Sequence, residues 1–322
     1  MGLRRLAPFA ALVLALGSVG AIGFSSSPAA SAAVVPQKLH FEFGPVHLNP
    51  GQNLIQYSSP NIPKPSVAGW ITGIKANMVF LDGTVPRSDV IMLHHAVWLN
   101  TSASDLTSPG VPERFFATGE EKSILTLPAK YGYRYEPTDQ WLLNYMLHVL
   151  VNQSFDVRVT YDLDFVPDSA PGKLRSVRPV WMDVQNGSSY PVFDAVAGTG
   201  VNGKYTYPAM ANNPYGTGKK LNEYTVPANG VLVEATGHLH SGGKYTELNL
   251  TRNASTGPRT GRLFKSDAVY YEPLGPVSWD MSMTATPATW KVHVKPGDRL
   301  SIQATYDTSQ WSWYEWLRPL DA

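Results

Sequence analysis

Phe155-Asp156-Val157-Arg158-Val159-Thr160-Tyr161-Asp162-Leu163-Asp164-Phe165 decides the fold class. Every odd position is apolar and every even one polar or charged, the two-residue period of a strand with one face buried. Working outward, Leu39-His40-Phe41-Glu42-Phe43 repeats the pattern, with Leu39, Phe41 and Phe43 on one face. Gly230–Ala235, Tyr245–Leu250 and Trp290–Val294 read as further strands, and the turn Lys295-Pro296-Gly297-Asp298 leads into another, Leu300–Tyr306. No window of useful length carries a helical period, and 27 Gly and 26 Pro spread along 322 residues argue against long helices. The expectation is an all-β chain of two jelly-roll-type β-sandwich domains in tandem. The Pro- and Gly-rich stretch Val166–Lys173 has linker composition and divides the chain into residues 35–168 and 169–322. The second domain is expected to be cut short, because the chain stops at Ala322 before a closing strand.

Composition narrows the function. A net charge of +1 with only 16% charged residues excludes nucleic acid as a partner. With 43% hydrophobic and 11% aromatic residues the chain has material for a core. The absence of cysteine removes disulfides, zinc ribbons, iron–sulfur clusters and thiol catalysis, so a metal must be held by His, Met, carboxylate or backbone. No Gly-x-Ser-x-Gly elbow suggests a hydrolase. At the start, Arg4 and Arg5 precede the apolar run Leu6–Phe24, and Ala30-Ser31-Ala32 is a small-x-small cleavage site. Residues 1–32 therefore read as a signal peptide of a secreted protein. The alternative, an uncleaved anchor, is opposed by Gly17, Gly20, Gly23 and Pro28, and no later run is long enough to span a bilayer.

The histidines carry the chemistry. In His238-Leu239-His240, at the end of an apolar strand, i and i+2 share a face and offer two imidazoles to one ion; the plainer alternative is two surface residues. His94-His95 lies in the apolar run Val90–Trp98. Neighbours on a strand point opposite ways, so both reach one ion only at a bulge or bend; otherwise one is core and one surface. His148, within Trp141–Val151, needs a partner among apolar neighbours, either a backbone carbonyl or a metal completing a set with His94 and His95. His40 and His293 share their faces with charged residues and read as solvent-facing. Imidazole-only sites suit copper or zinc, and the Irving–Williams order favours copper.

The order His94-His95, then Leu147-His148-Val149, then a linker, then His238-Leu239-His240, resembles the copper type II, ascorbate-dependent monooxygenases, the family of peptidylglycine alpha-hydroxylating monooxygenase and dopamine beta-monooxygenase. Lys295-Pro296-Gly297-Asp298-Arg299-Leu300 also looks like part of that family's second domain. The resemblance implies two coppers, one per domain. His94, His95 and His148 would bind the electron-transfer copper, and His238 and His240 the catalytic, dioxygen-activating one. Ascorbate would donate electrons, and dioxygen would hydroxylate a C–H bond of a small-molecule or peptide substrate. The family's methionine ligand falls by spacing on Leu317, while Met281 and Met283 read as core-filling, so activity is expected to be impaired. The alternatives are a non-catalytic secreted copper-binding protein and a cupin-type metal enzyme. The latter wants Glu four or five residues after the second His, whereas the first here is Glu247.

Overall fold

The alternation beginning at Phe155 buries Val157, Val159, Tyr161, Leu163 and Phe165 to 1% exposure or less and leaves Asp156 and Asp162 in solvent. Burying side chains of this size contributes about 1.5–3 kcal/mol each, which fixes the register of the strand against its neighbours. The structure is a computed structural model, and it describes residues 35–119, 121–184, 197–209, 220–240, 242–254, 257–271 and 281–309. The described residues contain strands and no α-helix, so the chain is all-β. The expected leader, residues 1–32, lies outside them, as does Leu317. Among the described residues no helix is long and apolar enough to cross a membrane.

Ten strands make the first set of sheets: β1 (Gln37–Leu48), β2 (Asn53–Tyr57), β3 (Gly69–Phe80), β4 (Ile91–Ser104), β5 (Pro112–Gly119), β6 (Ile124–Thr126), β7 (Tyr131–Tyr135), β8 (Trp141–Val149), β9 (Phe155–Pro167) and β10 (Arg175–Val177). One sheet runs β1-β9-β3-β7-β10, with β6 alongside β3; the other runs β2-β8-β4-β5. Their inner faces share one core. Ile74, Met78, Val159 and Tyr161 come from the first sheet, and Leu93, Ala96, Trp98, Leu143 and Leu147 from the second. Trp98 meets Tyr161 edge-on at 5.4 Å between ring centroids.

Eight strands follow: β11 (Lys204–Tyr207), β12 (Glu223–Thr225), β13 (Gly230–Leu232), β14 (Gly243–Ala254), β15 (Gly257–Tyr270), β16 (Met281–Met283), β17 (Val292–Val294) and β18 (Arg299–Asp307). The larger sheet runs β11-β18-β14-β15-β16, with β12 also on β18, and β13 pairs with β17. Val226, Leu250, Val294 and Leu300 form the core here.

Several details differ from the sequence reading, among them that the strand read over Trp290–Val294 begins only at Val292. The pairing pattern changes after Val177 rather than at 168, because β10 still adds a parallel edge to β7 beyond the Pro- and Gly-rich stretch. The strand read over Gly230–Ala235 ends at Leu232, and Ala235 N–H donates instead to Thr286 Oγ1 at 3.0 Å, which takes the chain out of the ladder. A third apolar cluster joins Met92 of β4 and Leu150 to Leu239, Tyr207, Met281 and Tyr306. The outer face of the β8–β4 pair is therefore covered by the second set of strands, within one compact unit, Val34–Ala322. Met281 is 2% exposed and Met283 packs beside it, so both fill core space as expected.

Candidate metal centre

Strand β4 carries the first two imidazoles. Leu93 pairs with Leu147 of β8, yet His95, not His94, pairs with the next residue, Met146. His94 is thus the extra residue of a β-bulge, the one local geometry in which adjacent side chains share a face. Leu93 and Ala96 both point into the first core, which leaves His94 and His95 together on the outer face. His148 of β8, opposite Met92, belongs to that same face. Its Nδ1 has no hydrogen-bond partner among the described residues, although the side chain is buried at 6% exposure.

The other two imidazoles arrive from the segment between β13 and β14. His238-Leu239-His240 is not in a strand ladder, contrary to expectation, but the i, i+2 logic survives in extended backbone. Leu239 (2% exposed) anchors in the apolar cluster below, and both rings turn the other way. Glycines fix this path. A Cβ on Gly237 would sit 2.2 Å from Thr246 Oγ1, and one on Gly243 2.7 Å from Leu239 Cβ. Gly119 of β5 makes the meeting possible, since a Cβ there would lie 2.7 Å from the His94 carbonyl oxygen and 3.1 Å from His238 Cε1.

The rings do not divide into one pocket per half of the chain. His95 Nε2 lies 2.9 Å from His238 Nε2 and 3.2 Å from His240 Nε2, and the donor atoms of these three all fall within 4.8 Å of one another. On its other side His95 Nδ1 lies 2.8 Å from His94 Nδ1. The grouping of His95 with His94 and His148 alone is therefore corrected, because the outer face that carries His95 is the one the second set of strands covers. With metal–nitrogen bonds of 2.0–2.1 Å, edges of 2.9 and 3.2 Å correspond to N–metal–N angles of about 90° and 103°. The third edge closes onto a shared ion once it is at or below about 4 Å. The three donor atoms lie within 4.8 Å of one another, so the set can hold an imidazole-liganded ion once that edge closes, with no cysteine or carboxylate in it.

Glu121 was invisible in the sequence. It follows Gly119 by two residues, is 6% exposed, and its Oε2 accepts a hydrogen bond from His238 Nδ1 at 3.0 Å. Ser123 Oγ donates to its Oε1 at 2.9 Å. Burial works to raise the Glu121 carboxyl, but the His238 ring and the hydrogen bonds outweigh it and hold it below its ordinary range. For His238 burial again opposes charge, and Glu121 overcomes it, raising the imidazole. The pair assigns the proton to Nδ1 and leaves the Nε2 lone pair aimed at His95. This carboxylate–histidine arrangement is the outer-shell pattern that orients metal ligands. Asp183, raised by burial and held back by Arg114, also favours the charged form of His238.

Burial first, and neighbouring imidazoles second, push His94, His95 and His240 well below their ordinary values, and burial alone lowers His148. At neutral pH these rings are uncharged, the state in which imidazole binds metal. His94 is fully buried and His240 2% exposed, whereas the His238 side chain is 39% exposed, so the cluster opens to solvent on the His238 side. His40 and His293 are exposed, as read from their charged neighbours. Glu247 is engaged by Arg262 and Gln303 and takes no part in the cluster, which leaves the cupin pattern without its carboxylate. Comparison with protein-family models and with curated proteins gives no match for this chain.

Proposed function

We propose that the chain is a secreted copper-dependent oxidoreductase of the monooxygenase type, hydroxylating a C–H bond with dioxygen and ascorbate. The observation that carries the reading is the convergence of His95, His238 and His240, with Glu121 fixing the tautomer of His238. An all-imidazole ligand set suits copper, and the order of the histidine motifs supports the monooxygenase class. Bound copper supplies one-electron cycling between Cu(II) and Cu(I) and a site for dioxygen.

The protein's own groups do the rest. Glu121 keeps the His238 proton on Nδ1, and Leu239 holds the two flanking rings in register by its burial. The bulge at His94 turns His95 outward. The exposed His238 edge gives small molecules their approach, while the apolar cluster around Met92, Leu239 and Tyr306 excludes water below.

The test is oxygen uptake by copper-loaded protein with and without ascorbate. Copper-loaded protein is expected to consume oxygen only with ascorbate, and zinc-loaded protein not at all. A second reading, copper binding without turnover, is favoured by the burial of His94, His148 and His240, which leaves one open side. Copper retention with no uptake decides for it.

A further inference from the structure

Strand β2 is an open sheet edge. Among the described residues β8 is its one neighbour in the sheet, with Asn53 opposite His148 and Ile55 opposite Met146. In-register bonds at its two ends, from Ser58 N–H to the Leu143 carbonyl and from Val149 N–H to the Gln52 carbonyl, fix which residues bond to β8. Antiparallel bonding alternates along a strand, so Leu54 and Gln56 bond inward, and the N–H and C=O groups of Asn53, Ile55 and Tyr57 point away from the sheet. The same edge is apolar: Leu54 is 64%, Ile55 39% and Tyr57 55% exposed. Sheet edges are ordinarily blunted by charge, proline or a bulge. β1, at the edge of the facing sheet, carries Lys38, His40 and Glu42 and a bulge between Phe43 and Val46. β5, the opposite edge of the sheet that contains β2, carries Glu113 and Arg114, which are paired with Arg178 and Asp105. β2 has no such device. Its register against β8 is unbroken, and the whole run Leu48–Pro63 holds no charged residue.

We propose that β2 pairs antiparallel with β2 of a second copy of this chain, about a two-fold axis through Ile55. In that register Ile55 faces its own copy and Asn53 faces Tyr57 of the second copy. The three outward-bonding positions then exchange about six backbone hydrogen bonds, and the two four-stranded sheets join edge to edge. A two-fold axis sets any charge beside it against its own like, which is destabilising. An uncharged run is therefore what a self-pairing edge requires. A strand from a different partner is selected by charges or pockets beside the edge, and β2 offers no charge for that purpose. The net charge of +1 leaves little long-range repulsion between copies. The contact is small, at the weak end of specific interfaces, so association belongs in the micromolar range. The proposal stands without the metal-centre reading, yet it fixes how far apart two such centres would lie. Ile55, Met146 and His95 form one row across β2, β8 and β4. The His95 backbones of the two copies are then five strand spacings of about 4.8 Å apart, or about 24 Å.

The experiment is sedimentation velocity on the chain over about 1–100 μM, where the mass should rise from one chain towards two. Ile55→Lys and Ile55→Glu should each hold the chain monomeric, because the axis sets the new charge against its own copy. Mixing the two variants should restore the dimer, since opposite charges then meet at position 55, and recovery in the mixture also shows that both variants fold. In the copper-loaded dimer, pulsed electron paramagnetic resonance should place the two centres about 24 Å apart. A monomer at every concentration overturns the proposal, as does a dimer that both single variants keep. Copper centres more than about 35 Å apart overturn it as well. The concentration series and the copper distance use the unaltered chain and stand whether or not a variant folds. Absence of bound copper removes the metal-centre reading and leaves the sedimentation result to decide the pairing.

Discussion

Removing the Glu121 carboxylate should weaken metal binding by an amount the structure sets. Its Oε2 accepts the His238 Nδ1 proton at 3.0 Å, with the glutamate 6% exposed and the histidine side chain 39% exposed, so the contact is screened from one side only. A hydrogen bond to a charged group contributes about 1.5–3 kcal/mol net, and outer-shell partners of metal-bound histidine change affinity by about 10–100-fold, which is the same quantity expressed as about 1.4–2.8 kcal/mol. Glu121→Gln keeps the shape and an accepting oxygen but loses the charge, and should weaken the dissociation constant about 10-fold. Glu121→Leu removes the acceptor, frees the His238 tautomer, and should approach 100-fold. The assay is competition with a coloured copper(II) chelator at pH 7.5, with the surface variant Glu42→Gln as control. A Glu121→Leu dissociation constant within threefold of the parent would refute the claim that this carboxylate orients a metal ligand.

Further outcomes follow from the same geometry. His238→Ala should abolish the ion shared with His95 and His240, read as lost metal per chain. Gly119→Ala should cost about 1–3 kcal/mol in thermal or denaturant unfolding and weaken metal binding, because the new Cβ meets the His94 carbonyl at 2.7 Å and Glu121 Oε2 at 2.8 Å. In metal-free protein, His94, His95, His148 and His240 resist protonation when folded and accept it when unfolded. Their contribution is full above the ordinary imidazole value and is lost as pH falls below it, about 1.4 kcal/mol per pH unit for each proton taken up on unfolding. The raised His238 acts oppositely, stabilising below its unfolded value and losing that contribution as pH rises through its folded one. Urea midpoints should therefore drop between pH 7 and pH 5, and a flat profile contradicts the burial of the four rings. Copper at 100 times its dissociation constant should raise unfolding stability by about 2.7 kcal/mol, reversed by chelator.

The strands were largely legible, because the alternation in β9 and β1 reports burial directly and burial is what selects a pleated register. The bulge at His94 was legible as a condition: two adjacent histidines in an apolar strand share a face only through one. What the sequence could not carry was the partner of that face. Periodicity says that His95 and Met92 point away from the first core, not that Leu239 and Tyr306 cover them. The rings were accordingly expected in two pockets, whereas His94 and His95 meet His238 and His240 in one cluster. Glu121 was hidden for a related reason. Its loop, Gly119-Glu120-Glu121-Lys122-Ser123, has the composition of a solvated turn, and only the contact with His238, more than a hundred residues away, gives the carboxylate a buried role. The end of the first set of strands was missed because β10 adds only three residues, too few for alternation to register.

The most direct test of the account is a crystal structure of copper-loaded protein with anomalous diffraction recorded at the copper edge. The account predicts an anomalous peak about 2.0 Å from Nε2 of His95, His238 and His240 together, so that one ion is held by both sets of strands. Peaks ligated only by histidines of one set, with none where these three nitrogens converge, would contradict it.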